Sequence, residues 1–318
     1  MITTNLGIAG KSLIANEIIA IPTETVYGLA GNAFSEAAVK KIFELKKRPF
    51  YNPLIVHIKS AAYLKEVACD IPDIALKMAK KFWPGPLTLI LKKLPIIPDL
   101  VTAGKETVAV RVPNHPLTLE LLEQLNFPLA APSANPFGSI SPTSAEHVSN
   151  YFKNFLDVIL DGGDCEKGLE STIIGFEENQ PILFRLGCIT IEDIENEIGK
   201  VLIKNQGSKT DLVAPGMLSR HYSPSTNTYL TANVSEDIKL FNNKKIGLLL
   251  FKEFIEIDNI QHQEILSKTG NLDEAARNLY AALHRLDKLN LDVIIAERFP
   301  DSGVGKTIND RLKRAVTK

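Results

Sequence analysis

Apolar residues recur along this chain in two rhythms. Short runs at Ile18–Ile21, Leu54–Ile58, Leu87–Leu91, Val108–Val112, Leu129–Ala131, Val158–Leu160, Thr172–Phe176 and Ile182–Phe184 read as strands. Between them, Ser35 is placed to cap a helix running to Lys46, with Val39, Ile42, Phe43 and Leu45 at helical spacing. Residues 61–82 hold two more helical segments, divided at Ile71-Pro72. So many strands with few helices between them predict one large mixed sheet rather than a doubly wound repeat. Past Lys200 both rhythms fail in a polar stretch with Gly207, Pro215, Gly216 and Pro224, which reads as a linker. They resume with strands at 228–230, 246–251 and 293–296 and helices at 237–241, 272–289 and 308–316, a small α/β unit. The fold class is therefore α/β, with residues 1–200 as the larger domain, 201–226 as the linker and 227–318 as the smaller domain.

Composition narrows the function. With 36 basic and 37 acidic side chains in 318 residues, the chain does not coat nucleic acid by bulk charge. The balance is a sum of unlike parts, since residues 1–100 carry 13 basic and 8 acidic groups and residues 101–200 carry 6 and 15. Cys69, Cys165 and Cys188 form no CxxC pair, and the six histidines form neither HxH nor HExxH, so no protein metal site is expected. No apolar run reaches membrane-spanning length, and the first residues make a poor signal peptide, so a cytoplasmic protein without membrane contact is expected. Gly10-Lys11-Ser12 and Gly305-Lys306-Thr307 imitate the end of a phosphate-binding loop. Asn5 and Pro300 stand where its first glycine belongs, and the expected outcome is a helix-start glycine beside a surface lysine.

The chemistry lies in polar loops set at strand ends, where α/β folds place ligands. Pro22–Leu29 (PTETVYGL) follows the first strand, and residues 46–54 (KKRPFYNPL) concentrate three cations in a proline-bounded turn. Pro132–Asn135 (PSAN) follows another strand, with Ser141-Pro142-Thr143 close behind; Glu170-Ser171-Thr172 opens one strand and Arg185-Leu186-Gly187 closes another. Arg48, Arg111 and Arg185 offer forked donors that match phosphate or carboxylate.

These loops, in this order, resemble the YrdC-like family of threonylcarbamoyl-AMP synthases in its long, two-domain form. The likeness continues through AVRVPNHP, LEST, FRLG, the linker's PGMLSRHYSP and the final GVGKTINDRLKRA. It implies a twisted mixed-sheet catalytic domain, a linker acting as an active-site lid, and a small Rossmann-like C-terminal domain. The implied reaction makes threonylcarbamoyl-AMP and pyrophosphate from L-threonine, bicarbonate and ATP. The product serves threonylcarbamoyladenosine modification of tRNA, through a partner transferase. By the same resemblance, Lys46, Arg48, Ser133 and Asn135 form the catalytic signature. ATP falls to Arg48, Asn52, Thr107, Ser133, Ser141, Arg185 and Tyr222, and threonine to Thr25, His57, Arg111, Ala131 and Ser171. Magnesium is expected to arrive on ATP. Lys47 departs from the small residue expected between the two signature cations.

Two other readings stand beside this one. A carbamoyltransferase related to hydrogenase maturation has a similar domain, but also CxxC pairs and an acylphosphatase-like segment that this chain lacks. A double-stranded RNA-binding module without catalysis would use the basic first hundred residues. The C-terminal cations Lys306, Arg311, Lys313, Arg314 and Lys318 read as a solvated helix face, with direct tRNA contact as the alternative.

Overall fold

The computed structural model describes residues 1–203, 222–257, 260 and 262–316. The first unit begins β1 (Ile2–Thr3), α1 (Leu6–Ile14), β2 (Ile19–Ile21), β3 (Gly28–Asn32), α2 (Glu36–Lys46), β4 (Ile55–His57), β5 (Ala68–Cys69), α3 (Asp73–Phe82) and β6 (Leu87–Lys93). It continues α4 (Asp99–Thr102), β7 (Thr107–Arg111), α5 (Pro116–Gln124), β8 (Leu129–Ala130), α6 (Ala145–Phe152) and β9 (Ile159–Leu160). It closes with β10 (Thr172–Glu177), β11 (Gln180–Arg185), α7 (Ile191–Ile198) and β12 (Leu202–Ile203). Its twelve strands run β1-β9-β2-β3-β8-β4-β7-β6-β10-β11-β12, with β5 beside β6. Parallel and antiparallel pairs alternate irregularly, as in the parallel pair β4/β7 next to the antiparallel pair β7/β6.

Period-two alternation decides which residues reach the site. Val56, Leu87, Leu89, Leu91, Val108 and Val110 point into the main core against α2 and α3. Their neighbours Ile55, His57, Thr88, Ile90, Thr107, Ala109 and Arg111 therefore face the opposite side of the sheet. There Ile55, Ile90, Ala109 and Ile173 form a small apolar cluster under Phe184. The β4/β7 register sets His57 directly beside Arg111.

The second unit has β13 (Asn227–Thr231), α8 (Val234–Asp237), β14 (Ile246–Leu250), β15 (His262–Ile265), α9 (Leu272–Asp287), β16 (Val293–Glu297) and α10 (Gly305–Ala315). Its four strands are all parallel, in the order β13-β16-β14-β15. β15 is an addition to the elements legible in sequence, as are β1, β5, β12, the helices α1 and α4–α7, and β3, which starts within the end of what reads as a polar loop. Much of the expected linker, 204–221, lies outside the described residues.

The two units share a core. Val26, Ile140, Leu169 and Tyr222 are buried with Leu279, Tyr280 and Leu283 of α9 and Ile308 and Leu312 of α10. Neither phosphate-loop imitation makes a loop: Gly10-Lys11-Ser12 lies within α1, and Gly305 starts α10, where Lys306 pairs with Glu192 at 2.5 Å. Of the C-terminal cations expected on a solvated face, Lys313 is exposed and Lys306 half-buried, but two depart from it. Arg311 and Arg314 are buried, because Arg311 falls in the apolar stripe of Ile308, Leu312 and Ala315. Lys318 lies outside the described residues.

Candidate active site

One pocket on the site face gathers most of the expected residues. Its walls include Thr25, Arg48, His57, Arg111, Ala131, Ser133, Ser171, Arg185 and Tyr222, joined by Thr23, Ile55 and Glu170. Its space, about 50 Å³, is room for a few waters and too small for a nucleotide.

The turn between β2 and β3 is held by Thr23, whose hydroxyl donates to Val26 O at 2.6 Å and accepts from the amides of Thr25 and Val26. That sets the Thr25 hydroxyl 2.8 Å from the Thr23 hydroxyl. Across the turn, the loop after β8 docks on the chain through Leu29 N to Pro132 O and Ala134 N to Tyr27 O. Gly28 permits this approach, since a Cβ there would lie 3.2 Å from that of Ala131.

Arg111 ends β7 and is buried. Its Nη2 lies 2.7 Å from Glu24 Oε1, close but out of hydrogen-bond alignment, and its Nε donates to Gly85 O. Glu24 also accepts from the amide of Asn114. Beside this pair, burial and then the charge of Arg111 depress the His57 pKa to about 3, so the imidazole is neutral, and its Nδ1 is buried without a partner. Ser171 accepts from Arg185 Nη2 at 3.0 Å and lies 2.7 Å from the Thr88 hydroxyl.

At the other end, Arg48 donates to Asn52 O, Asn52 Oδ1 and Pro53 O, all neutral acceptors, with Phe137 under its guanidinium. Burial, partly opposed by Tyr222 and reinforced by Arg185, lowers its pKa to about 9. A buried cation with neutral acceptors is costly by itself and favours an incoming anion. Arg185, at the end of β11, is buried and donates to Ser171 O at 2.8 Å. Burial lowers its pKa as well. Glu170 stays ionised: burial opposes its charge, but Arg311 and then Arg185 outweigh it.

Five expected residues are not on the pocket wall. Lys46 is buried behind it, its ammonium donating to the carbonyls of Ser133 and Asn135. Burial, then Arg48, lowers its pKa well below the usual range. Asn135 donates to Pro136 O and Ser139 O, and Asn52 stands behind Arg48. Ser141 donates to Glu170 at 2.7 Å. Each signature pair thus splits into one residue on the wall and one that holds the wall. Lys47 explains the split: it caps α2 in the left-handed region at φ 52°, turning the chain so that residues 46 and 48 diverge. Thr107 lies at the far end of β7 from Arg111, lining a separate depression of about 390 Å³ with Ile90 and Phe184.

Glu24 and Glu170 were not legible as site residues, although both sit in motifs that were. Arg311 carried a usable signal, a cation within an apolar helical stripe. Among the described residues no cluster of three or more potential metal ligands occurs, and no helix is long and apolar enough to cross a membrane.

Fold and pocket together define a two-unit α/β enzyme with a buried, cation-rich substrate cavity on the face of a mixed sheet. Two family models cover the chain: Sua5/YciO/YrdC, described as telomere recombination, over residues 11–187, and the threonylcarbamoyl-AMP synthase C-terminal domain over 189–317. The threonylcarbamoyl-AMP synthase of Pyrococcus abyssi is 42% identical over 97% of this chain and 93% of its own. That of Bacillus subtilis is 41% identical over 97% and 92%. The chain belongs to the threonylcarbamoyl-AMP synthase family, in its two-domain form. The crystal structure of P. abyssi Sua5 complexed with L-threonine matches it with TM-score 0.91 and 40% identity, over 98% of this chain and 93% of that one.

Proposed function

We propose that this chain is an L-threonylcarbamoyladenylate synthase, joining L-threonine, bicarbonate and ATP into threonylcarbamoyl-AMP with release of pyrophosphate and water. The observation that carries the reading is the pairing of two unlike ends in one pocket. A guanidinium braced by a carboxylate (Arg111 with Glu24) stands at one end, and Arg48, with neutral acceptors, at the other.

In this reading Arg111 receives the threonine carboxylate in bidentate fashion, and Thr25, neutral His57 and Ser171 orient the side chain and amine. Threonine's amine and bicarbonate combine to a carbamate with loss of water. A carbamate oxygen then attacks the α-phosphorus, and the bond to the bridging oxygen breaks as pyrophosphate leaves. Negative charge gathers on the phosphoryl oxygens, which Arg48 and Arg185 are placed to offset, so positioning and electrostatics matter more than a strong base. Lys46 and Asn135 act through Ser133 by holding its loop. Asn52 has a buried, unpartnered Nδ2 that would complete the nucleotide's hydrogen bonds. The strip of Ile55, Ile90, Ala109 and Ile173 beside Phe184 leads from the pocket toward Thr107. It suits an adenine lying flat, with Thr107 at its distal edge.

Magnesium would be carried by the triphosphate, since both carboxylates nearest the pocket already serve arginines, Glu24 with Arg111 and Glu170 with Arg311. It would neutralise phosphate charge. The small cavity supports a lid at Tyr222, which must yield before ATP enters. The product would pass to a transferase acting on tRNA in the cytoplasm. Arg311 and Arg314 do not offer tRNA a contact, because both are buried.

The test is incubation with ATP, radiolabelled bicarbonate and each amino acid in turn. Label should enter an adenylate only with threonine, and label with any other amino acid, or with none, would refute the assignment.

A further inference from the structure

Arg311 reaches across from α10 into the wall of the pocket. Only 1% exposed, it donates from Nε to Glu170 Oε2 at 2.8 Å, from Nη2 to Leu186 O at 2.6 Å and from Nη1 to Asp310 at 2.5 Å. Its guanidinium also lies 4.8 Å from the centre of the Tyr222 ring, which stacks on Tyr280. Apart from Asp310, its own neighbour on α10, each of these partners adjoins or is a residue of the nucleotide end. Leu186 follows Arg185, Glu170 accepts from Ser141, and Tyr222 is itself a wall.

We propose that Arg311 is a positioning residue for the nucleotide end of the site, holding the segments that carry Ser141, Arg185 and Tyr222 through one buried guanidinium. The inference rests on the proposed function for the identity of the nucleotide. Its geometric basis is independent of that reading. α10 grips the turn after β11 at two points one helical turn apart, by Thr307 Oγ1 to Gly187 O at 2.9 Å and by Arg311 to Leu186 O. The turn has no slack: a Cβ on Gly187 would lie 2.2 Å from Thr172 N, and Cys188 N donates to Glu170 O. Arg185 in turn donates to Ser171 O, closing a ring of contacts between residues 170–171 and 185–188. Glu170 gathers Ser141, Tyr280 and Arg311 on one carboxylate, so a shift of α10 moves all three segments together. Of the threonine end only Ser171 joins this ring, through Arg185, while Arg111 and Glu24 are braced separately by Gly85 and Asn114. A planar fork is required: lysine would keep the charge near Glu170 but could not also reach Leu186 O and cover the Tyr222 ring.

The prediction is a split between substrates. Arg311→Lys should weaken ATP binding about tenfold or more, while threonine binding stays within about twofold. Removing one charge of a buried pair can unfold a protein, so Arg311→Gln/Glu170→Gln, which removes both, and Tyr280→Phe, which removes one hydroxyl, are measured alongside. ATP and threonine affinities are read by calorimetry on the full chain, with thermal melting of each variant. The double variant should fold and still bind ATP poorly, and Tyr280→Phe should shift ATP affinity less, in the same direction. Unchanged ATP affinity in folded Arg311→Lys or in the folded double variant overturns the inference, as does an equal loss for both ligands. Threonine-dependent pyrophosphate release by the unaltered chain is measured in parallel. Its absence refutes the proposed function, while the calorimetric split still decides the role of Arg311.

Discussion

At the scale of single residues, the pocket separates groups that meet substrate from groups that aim them. Glu24 belongs to the second kind. Glu24→Gln keeps a hydrogen-bonding oxygen for Asn114 but leaves Arg111 charged and buried without its carboxylate, a loss of ~3 kcal/mol. The KM for threonine should rise while that for ATP holds, and parallel shifts in both would remove Glu24 from threonine recognition. Arg48→Ala should behave differently. Its charge is desolvated against neutral acceptors, so deleting it should cost little stability, yet threonine-dependent pyrophosphate release should fall about 100-fold or more. Release at the unaltered rate would take Arg48 out of the chemistry. The arginines, His57 and Ser133 were legible in sequence because their motifs are contiguous. Glu24 and Glu170 were not, because their roles depend on Arg111 and Arg311, 87 and 141 positions away in the chain.

At the scale of elements, α6 meets α9 through two stacked imidazoles. His147 and His284 lie 4.0 Å apart at 21°, with the Tyr151 ring at the edge, Ser141 O and Thr143 as hydrogen-bond partners, and Lys288, Arg285 and Asp287 nearby. Burial, then Lys288, lowers His147 to about 4, and burial, then His147, lowers His284 to about 3. Both folded-state values lie below the ordinary 6.5, so the unfolded chain binds more protons between those limits. The stabilisation is complete above about pH 6.5 and is lost as pH falls toward 4. Melting temperature should therefore fall between pH 7 and 5, above the range where carboxylates protonate, and His284→Gln should flatten that limb. An unchanged slope in the variant would place the pH dependence elsewhere, His57 having the same sign. Most strands were legible because their apolar rhythm is local, while the helices α1 and α4–α7 were not singled out. β3 was not: its sequence, GLAGN, is small and weakly apolar, and it becomes a strand by pairing with β2 and β8.

At the scale of the molecule, the two units should unfold as one. Leu169 of the first unit is buried in the core of the second, and the Arg311–Glu170 pair crosses between them. Calorimetry should show a single transition, and Leu169→Ala should lower it by several degrees, the effect of ~3 kcal/mol of lost packing. Two separate transitions would mean that the shared core does not couple the units.

The sequence by itself determined the class of fold, the family resemblance and the cations of the site. These rest on local rhythm and contiguous motifs, which need no distant partner. Only the tertiary structure decided what each cation faces. Lys46 turns to two backbone carbonyls, Arg111 to Glu24, and Arg311 inward to Glu170 instead of out to solvent. The reason is physical: a charge can be buried only where a counter-charge or enough acceptors await it, and here the fold brings those from remote parts of the chain.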